Sequence, residues 1–319
     1  MYIVKDKTEM KNRPKIVAID FDDTIAKDSF PDCTSSETIN GAKYFINKLY
    51  DKGFYIIIWT CRYMSKHIYD VKKFLADNEI KYHSINENYP HLQFKPHPKI
   101  YYDYLVDDKC LLKVDWKWEY CKILTQFAES SLFNIHPKMK QHYFDRTKSH
   151  IESVQKFYGD FIKNNRDYFS EDFGKHDLIK FENNELVPYI ATTWQYYCKD
   201  NNIKFEISKE LQLLMNSATE HHVKNSSHHP EYWLKDKSRQ TIPTNDRDKF
   251  DPNVLETIDV SETMPKSAIV EMCADWCAMS KERGNTPFEW ADKVIDKRWK
   301  FGKEKTDFIH KVLRQMWNK

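Results

Sequence analysis

Ile16-Val17-Ala18-Ile19-Asp20-Phe21-Asp22-Asp23-Thr24-Ile25-Ala26 decides how the first half of the chain is read. Its β-forming run ends on Asp20, and Asp22, Asp23 and Thr24 follow at once, so carboxylates crowd the end of what reads as a buried strand. Like charges repel, and an anion at the edge of a core is poorly solvated, so a cation in their midst is the simplest relief. Few, hard oxygen donors favour Mg²⁺, which keeps several waters and accepts phosphate oxygens. The bland reading of the same residues is a solvated turn with a helix cap, a role that Asp and Thr also fill well.

Outward from this stretch, Thr60 closes the apolar run Phe54-Tyr55-Ile56-Ile57-Ile58-Trp59, and Lys99 precedes a strand over 101–106 that ends in Asp107-Asp108. In this order, Asp20-x-Asp22-x-Thr24, Thr60, Lys99 and Asp107-Asp108 resemble the four motifs of the haloacid-dehalogenase-like phosphohydrolases. Trp59-Thr60-Cys61-Arg62, Asn86-Glu87-Asn88 and Lys99-Ile100-Tyr101-Tyr102-Asp103 are similar to the small capless members of phages and bacteria. The resemblance implies a Rossmannoid parallel sheet and a Mg²⁺-dependent phosphatase. In it Asp20 is the nucleophile that forms an aspartyl-phosphate, and Asp22 is the acid and then the base, a role that favours a raised pKa. Thr60 and Lys99 hold the equatorial oxygens, while Asp20, the Asp22 carbonyl and Asp107, with Asp108 beside them, hold the metal. Lys95 competes with Lys99 for its role, Asp108 doubles as a simple cap, and Arg62 reads either as a phosphate contact or as an exposed salt bridge.

Strands and amphipathic helices alternate around these motifs. Helices are predicted over 37–51 and 65–78, with a short strand over 81–85, so the first half reads as a parallel α/β sheet whose ligands bind beyond the strands' carboxyl ends. Only 39 residues separate Asp20 from Thr60 and 38 separate Thr60 from Lys99, which leaves no room for an inserted cap domain. A boundary near 135 divides the chain into an α/β domain, 1–135, and an all-α domain, 136–319. Helices are expected there over 142–165, 266–282 and 288–317, with a polar, Pro-containing loop over 235–253.

The second domain carries its own constellation: His150, His176-Asp177, His221-His222, His228-His229 and Asp275. Imidazole suits Fe, Mn, Ni or Zn, and a bridging carboxylate such as Asp177 would hold two ions together and activate a water between them. The order His, His-Asp, His, Asp resembles the HD-type metal phosphohydrolases, and the surrounding stretches, such as Lys175 to Phe181 and Glu271 to Trp276, are similar to an uncharacterised phage and bacterial domain family. Asp275 interrupts the apolar pattern of Ala268, Met272 and Met279, and a carboxylate in such a place needs a partner. The bland readings are a helix start at His176-Asp177, surface histidines at one member of each pair, and core packing for Cys273 and Cys277.

The length of 319 residues suits two domains, and a net charge of +2 with 31% charged residues argues against a general polyanion-binding surface. The expected partner is a phosphorylated small molecule or nucleotide, with an oligonucleotide end left open. Seven cysteines without a CxxC pair, the lack of a signal peptide and the lack of any apolar run near the roughly 18 residues needed to span a bilayer place the expectation in the cytoplasm, off the membrane.

Overall fold

The structure is a computed structural model that describes residues 13–27, 30–92, 99–110, 114–236 and 257–317. The chain divides after Ile123 into two compact units, so the division falls inside a helix and 12 residues before the expected boundary. Most of the expected polar loop, and Lys95, lie outside the described residues.

The N-terminal unit is built on four parallel strands in the order β3-β2-β1-β4. These are β1 (Ile16–Asp20), β2 (Tyr55–Trp59), β3 (Ser84–Ile85) and β4 (Tyr104–Val106). Ile16 to Ile19 and Ile56 to Ile58 are fully buried, as expected of strands covered on both faces, where an unbroken apolar run replaces alternation. Helix α1 (Ala42–Asp51) joins β1 to β2, and α2 (Ser65–Asp77) joins β2 to β3. The chain then crosses back to place β4 on the other side of β1. That reversal opens a crevice between the carboxyl ends of β1 and β4, the place where such sheets bind ligands.

The first helix begins later than its sequence pattern predicts. The segment 37–39 pairs with 25–27 instead, through Lys27 N–H to Glu37 O (2.9 Å) and Ile39 N–H to Ile25 O (2.8 Å). Gly41 then turns the chain at φ 84, where a Cβ would meet Phe45 and Trp116 at 3.3 Å. The strands near 81–85 and 101–106 shorten to two and three residues. Asn86 and Asn88 occupy backbone groups there, as described below.

The C-terminal unit is helical. It contains the end of α3 (Trp116–Gln126), then α4 (Pro137–Ile162), α5 (Leu186–Asp200), α6 (Lys209–Asn225), α7 (Lys266–Arg283), α8 (Pro287–Val294) and α9 (Lys303–Trp317). Helix α7 packs against α4, α8 and α9 and is buried almost all round from Ala268 to Ala278, as befits the central helix of a core. Among the described residues the all-helical expectation meets one exception, a parallel pair of β5 (Ile258–Asp259) and β6 (Trp299–Lys300). That pair splits the helix expected over 288–317. Asp296 and Gly302 turn at φ 58 and 74, while Arg298 and Trp299 donate to the buried Glu231 at 3.0 and 3.2 Å. Among the described residues no helix is long and apolar enough to cross a membrane.

Candidate functional site

In the N-terminal unit, strand register gathers the acids. Ile19 pairs with Val106, so Asp20 and Asp107 leave adjacent strands side by side, and carboxylate oxygens of Asp20, Asp107 and Asp108 lie within 4.8 Å of one another. Burial and then the charges of Asp107 and Asp108 push the Asp20 carboxyl up to about 7, against the pull of a hydrogen bond with Thr24. Thr24 organises this corner: its hydroxyl accepts from the Asp108 N–H (3.0 Å), and its carbonyl accepts from the Trp116 indole (3.0 Å). The ammonium of Lys109, a residue the sequence reading passed over, pairs with Asp108.

Asp22 is held apart from these three. Arg62 grips it with a fork, Nη2 to Oδ1 at 2.7 Å and Nε to Oδ2 at 3.2 Å, while Nη1 donates to the Pro31 carbonyl at 2.6 Å. Arg62 is itself buried, so an exposed salt bridge does not describe it. The Thr60 hydroxyl lies 3.5 Å from Asp22 Oδ2, which brings the second motif to the first. Asn86 fixes Thr60 by accepting from its N–H (2.9 Å) and donating to its carbonyl (2.8 Å). Asn88 does the same for the next segment, donating to Lys99 O (3.2 Å) and accepting from Tyr101 N–H (2.6 Å). The Lys99 side chain stays exposed, tied into the unit through its backbone.

In the helical unit, residues far apart in sequence converge on Asp177, which occupies a left-handed turn (φ 56) between two short 3₁₀ segments. Its Oδ1 lies 3.1 Å from His222 Nε2 and 3.6 Å from His228 Nε2. Its Oδ2 lies 3.6 Å from His150 Nε2, 3.7 Å from His176 Nε2 and 2.5 Å from Lys180 Nζ. Asp275, on α7, meets His150 Nε2 at 3.0 Å. His229 joins His222 and His228 in a second group with ligand atoms within 4.8 Å, whereas His221 turns aside toward Glu185 and is more exposed. Among the expected ligands, His221 is therefore the one the structure leaves out of the cluster.

Two acids that the sequence reading did not single out as ligands lie behind the histidines. Glu185 accepts from His221 and His222 at 2.7 and 2.9 Å, and Glu271 faces His176 Nδ1 at 2.9 Å and His228 Nδ1 at 3.5 Å. Glu271 was detectable by the reasoning that picked Asp275, since it interrupts the apolar run Ala268-Ile269-Val270; Glu185 carries no such signal. Burial works to raise Asp177, but Lys180, His176 and His222 hold it well below the carboxylate range; His176 and His228 likewise bring Glu271 to about 2 despite burial. Cys273 and Cys277 are core residues, and burial lifts the Cys277 thiol to about 12.

The donor set fits a metal. Within the cluster His150 Nδ1, His176 Nε2 and Glu271 Oε2 are buried without a hydrogen-bond partner, and His222 Nε2 has Asp177 Oδ1 at 3.1 Å; orphaned polar atoms of this kind are costly unless something fills the space between them. Beside them a cleft of about 560 Å³ is lined by His150, His229 and Asp275 and by the cations Arg146, Lys199 and Arg283.

A family model described as a family of unknown function, DUF5662, matches residues 139–319, more than half of the chain. The chain belongs to the DUF5662 family. Every side chain of the His/Asp cluster lies inside the DUF5662 span. No curated protein matches the chain. A solved structure described as a conserved protein coded by a locus from Bacteroides thetaiotaomicron is 21% identical over 39% of this chain and 100% of that one, with a TM-score of 0.32.

Proposed function

We propose that the N-terminal unit is a Mg²⁺-dependent phosphatase of the capless haloacid-dehalogenase type, acting on a phosphorylated metabolite or nucleotide. The observation that carries this is the meeting of Asp20, Asp107 and Asp108 at the switch point of a parallel sheet, with Asp20 pushed up to about 7 by burial and then by those charges. A divalent ion bound there offsets the acidic charge and draws in the phosphoryl oxygens. Asp20 then attacks phosphorus: an Asp–O–P bond forms, the P–O bond to the leaving group breaks, and Asp22 gives that oxygen its proton. Water next attacks the aspartyl-phosphate, its proton passes to Asp22, and Asp20 is released with phosphate. In this reading Thr60, 3.5 Å from Asp22, holds a phosphoryl oxygen. Lys99 completes that grip in this reading, its exposed ammonium turning inward on the bound anion. The Arg62 fork on Asp22 adds a step: the incoming dianion competes for the guanidinium, and the released Asp22 carboxylate takes a proton from solvent before it serves as the acid.

The test is a panel of phosphorylated metabolites, nucleotides and end-phosphorylated oligonucleotides, assayed with the full chain and with Asp20→Asn. Mg²⁺-dependent phosphate release by the wild type alone is expected; equal inactivity of both across the panel overturns the proposal.

A second reading concerns the helical unit and is favoured by the orphaned Nε2 atom of His176 beside Asp177. We infer a transition-metal phosphohydrolase centre of HD type, with Fe, Mn, Ni or Zn held by His150, His176, Asp177, His222, His228, His229 and Asp275. Bound metal supplies a water acidified enough to act as nucleophile near neutral pH. Metal analysis decides this reading: bound transition metal that is lost in His176→Ala supports it, and a metal-free wild type refutes it.

A further inference from the structure

Glu185 and Glu271 are 0% and 2% exposed, and among the described residues each is paired with histidines alone. Burying an anion without a cationic partner is expensive, so two such residues behind one cluster call for a reason. Each faces the Nδ1 edge of its rings. Glu271 Oε1 lies 2.9 Å from His176 Nδ1 and 3.5 Å from His228 Nδ1; Glu185 Oε2 lies 2.9 Å from His222 Nδ1. The opposite nitrogens, Nε2 of His176, His222 and His228, all point at the Asp177 carboxylate, at 3.7, 3.1 and 3.6 Å.

A neutral imidazole has one N–H and one lone pair, and a carboxylate beside Nδ1 settles which nitrogen carries which. We propose that Glu185 and Glu271 are positioning residues that hold these histidines as Nδ1–H tautomers in fixed orientation, so that three Nε2 lone pairs face the Asp177 carboxylate. The proposal rests on the reading of this cluster as a metal centre. The competing arrangement makes Glu271 a ligand, with His176 and His228 bound through Nδ1, since those ligand atoms also lie within 4.8 Å. That arrangement gives Glu271 Oε2 a partner but leaves His176 Nε2, beside Asp177, with none, whereas a metal on the Nε2 side takes up that nitrogen. The split grip of Glu185 on His221 and His222 also ties down the last turn of α6, which delivers His222 to the cluster.

The experiment uses the full chain and Co²⁺ as the probe, with binding measured by competition against a chelating dye and coordination read from the visible d–d bands. Glu185→Gln and Glu271→Gln are expected to bind Co²⁺ 10–100-fold more weakly while keeping the wild-type band positions, because the ligand set is unchanged. Unchanged affinity in both variants, or bands shifted by loss of a ligand in Glu271→Gln, overturns the positioning role. Long-range ¹H–¹⁵N correlation of the wild-type imidazoles needs no variant: Nδ1–H signals for His176 and His222 are expected, and Nε2–H signals overturn the proposal. A wild type that takes up no transition metal defeats the metal reading itself, a result distinct from a loaded wild type whose glutamate variants bind equally well.

Discussion

Replacing Asp20 with Asn removes a negative charge from beside Asp107 and Asp108 while keeping an oxygen for its hydrogen bond with Thr24. Raising a carboxyl from its ordinary value of 3.8 to about 7 costs the folded, ionised state at most ~4 kcal/mol, and solvent screening of a half-buried group leaves ~1–2 kcal/mol. The sign follows from linkage: the folded pKa is the higher, so the penalty is complete above about pH 7 and fades as pH falls toward 4, being roughly halved by pH 5.5. In EDTA at pH 8, Asp20→Asn therefore raises the melting temperature of the N-terminal unit by about 4–8 °C, and by about half as much at pH 5.5. Calorimetry reads the transition, and amide exchange in β1 assigns it to this unit. Mg²⁺ reverses the order, stabilising the wild type more than the variant, and more at pH 8 than at pH 5.5. A variant no more stable than wild type at pH 8, or equally responsive to Mg²⁺, refutes the crowding argument.

Three further outcomes are expected. Asp22→Asn lowers turnover on the order of 10²–10⁴-fold without loss of Mg²⁺ binding, as phosphate release and Mg²⁺ titration show, because it removes the proton donor and spares the metal acids. Transition-metal affinity of the helical centre falls as pH is lowered, since protons compete for the Nε2 lone pairs, and His222→Ala weakens it at every pH; chelator competition across pH measures both. Arg298→Met strands the fully buried Glu231 with the Trp299 indole as its remaining side-chain donor among the described residues, and lowers the stability of the helical unit by about 3–5 kcal/mol in denaturant titration.

The acidic corner of the N-terminal unit could be read from the chain because its residues cluster locally at strand ends, where β-sheet register brings them together with little further information. Asp20, Asp107 and Asp108 needed only the parallel order of β1 and β4. Arg62 was ambiguous because its partner, Asp22, lies 40 residues away and its burial depends on Pro31 and on the rings of Phe21 and Phe30. In the helical unit the ligand types were visible and their selection was not. His221 and His222 are neighbours in sequence, yet helical rotation sends only His222 to Asp177. Glu185 was invisible because its role is set wholly by tertiary contacts with α6. Positive φ at Gly41, Asp296 and Gly302 accounts for places where helix periodicity overran the true ends.

The direct test of the phosphatase account is mass spectrometry of peptides from the full chain, acid-quenched during turnover of p-nitrophenyl phosphate with Mg²⁺. Phosphate on Asp20, absent in Asp20→Asn and absent without Mg²⁺, is the expected result. Steady turnover with no phosphorylated aspartate, or with the phosphate on another residue, contradicts it.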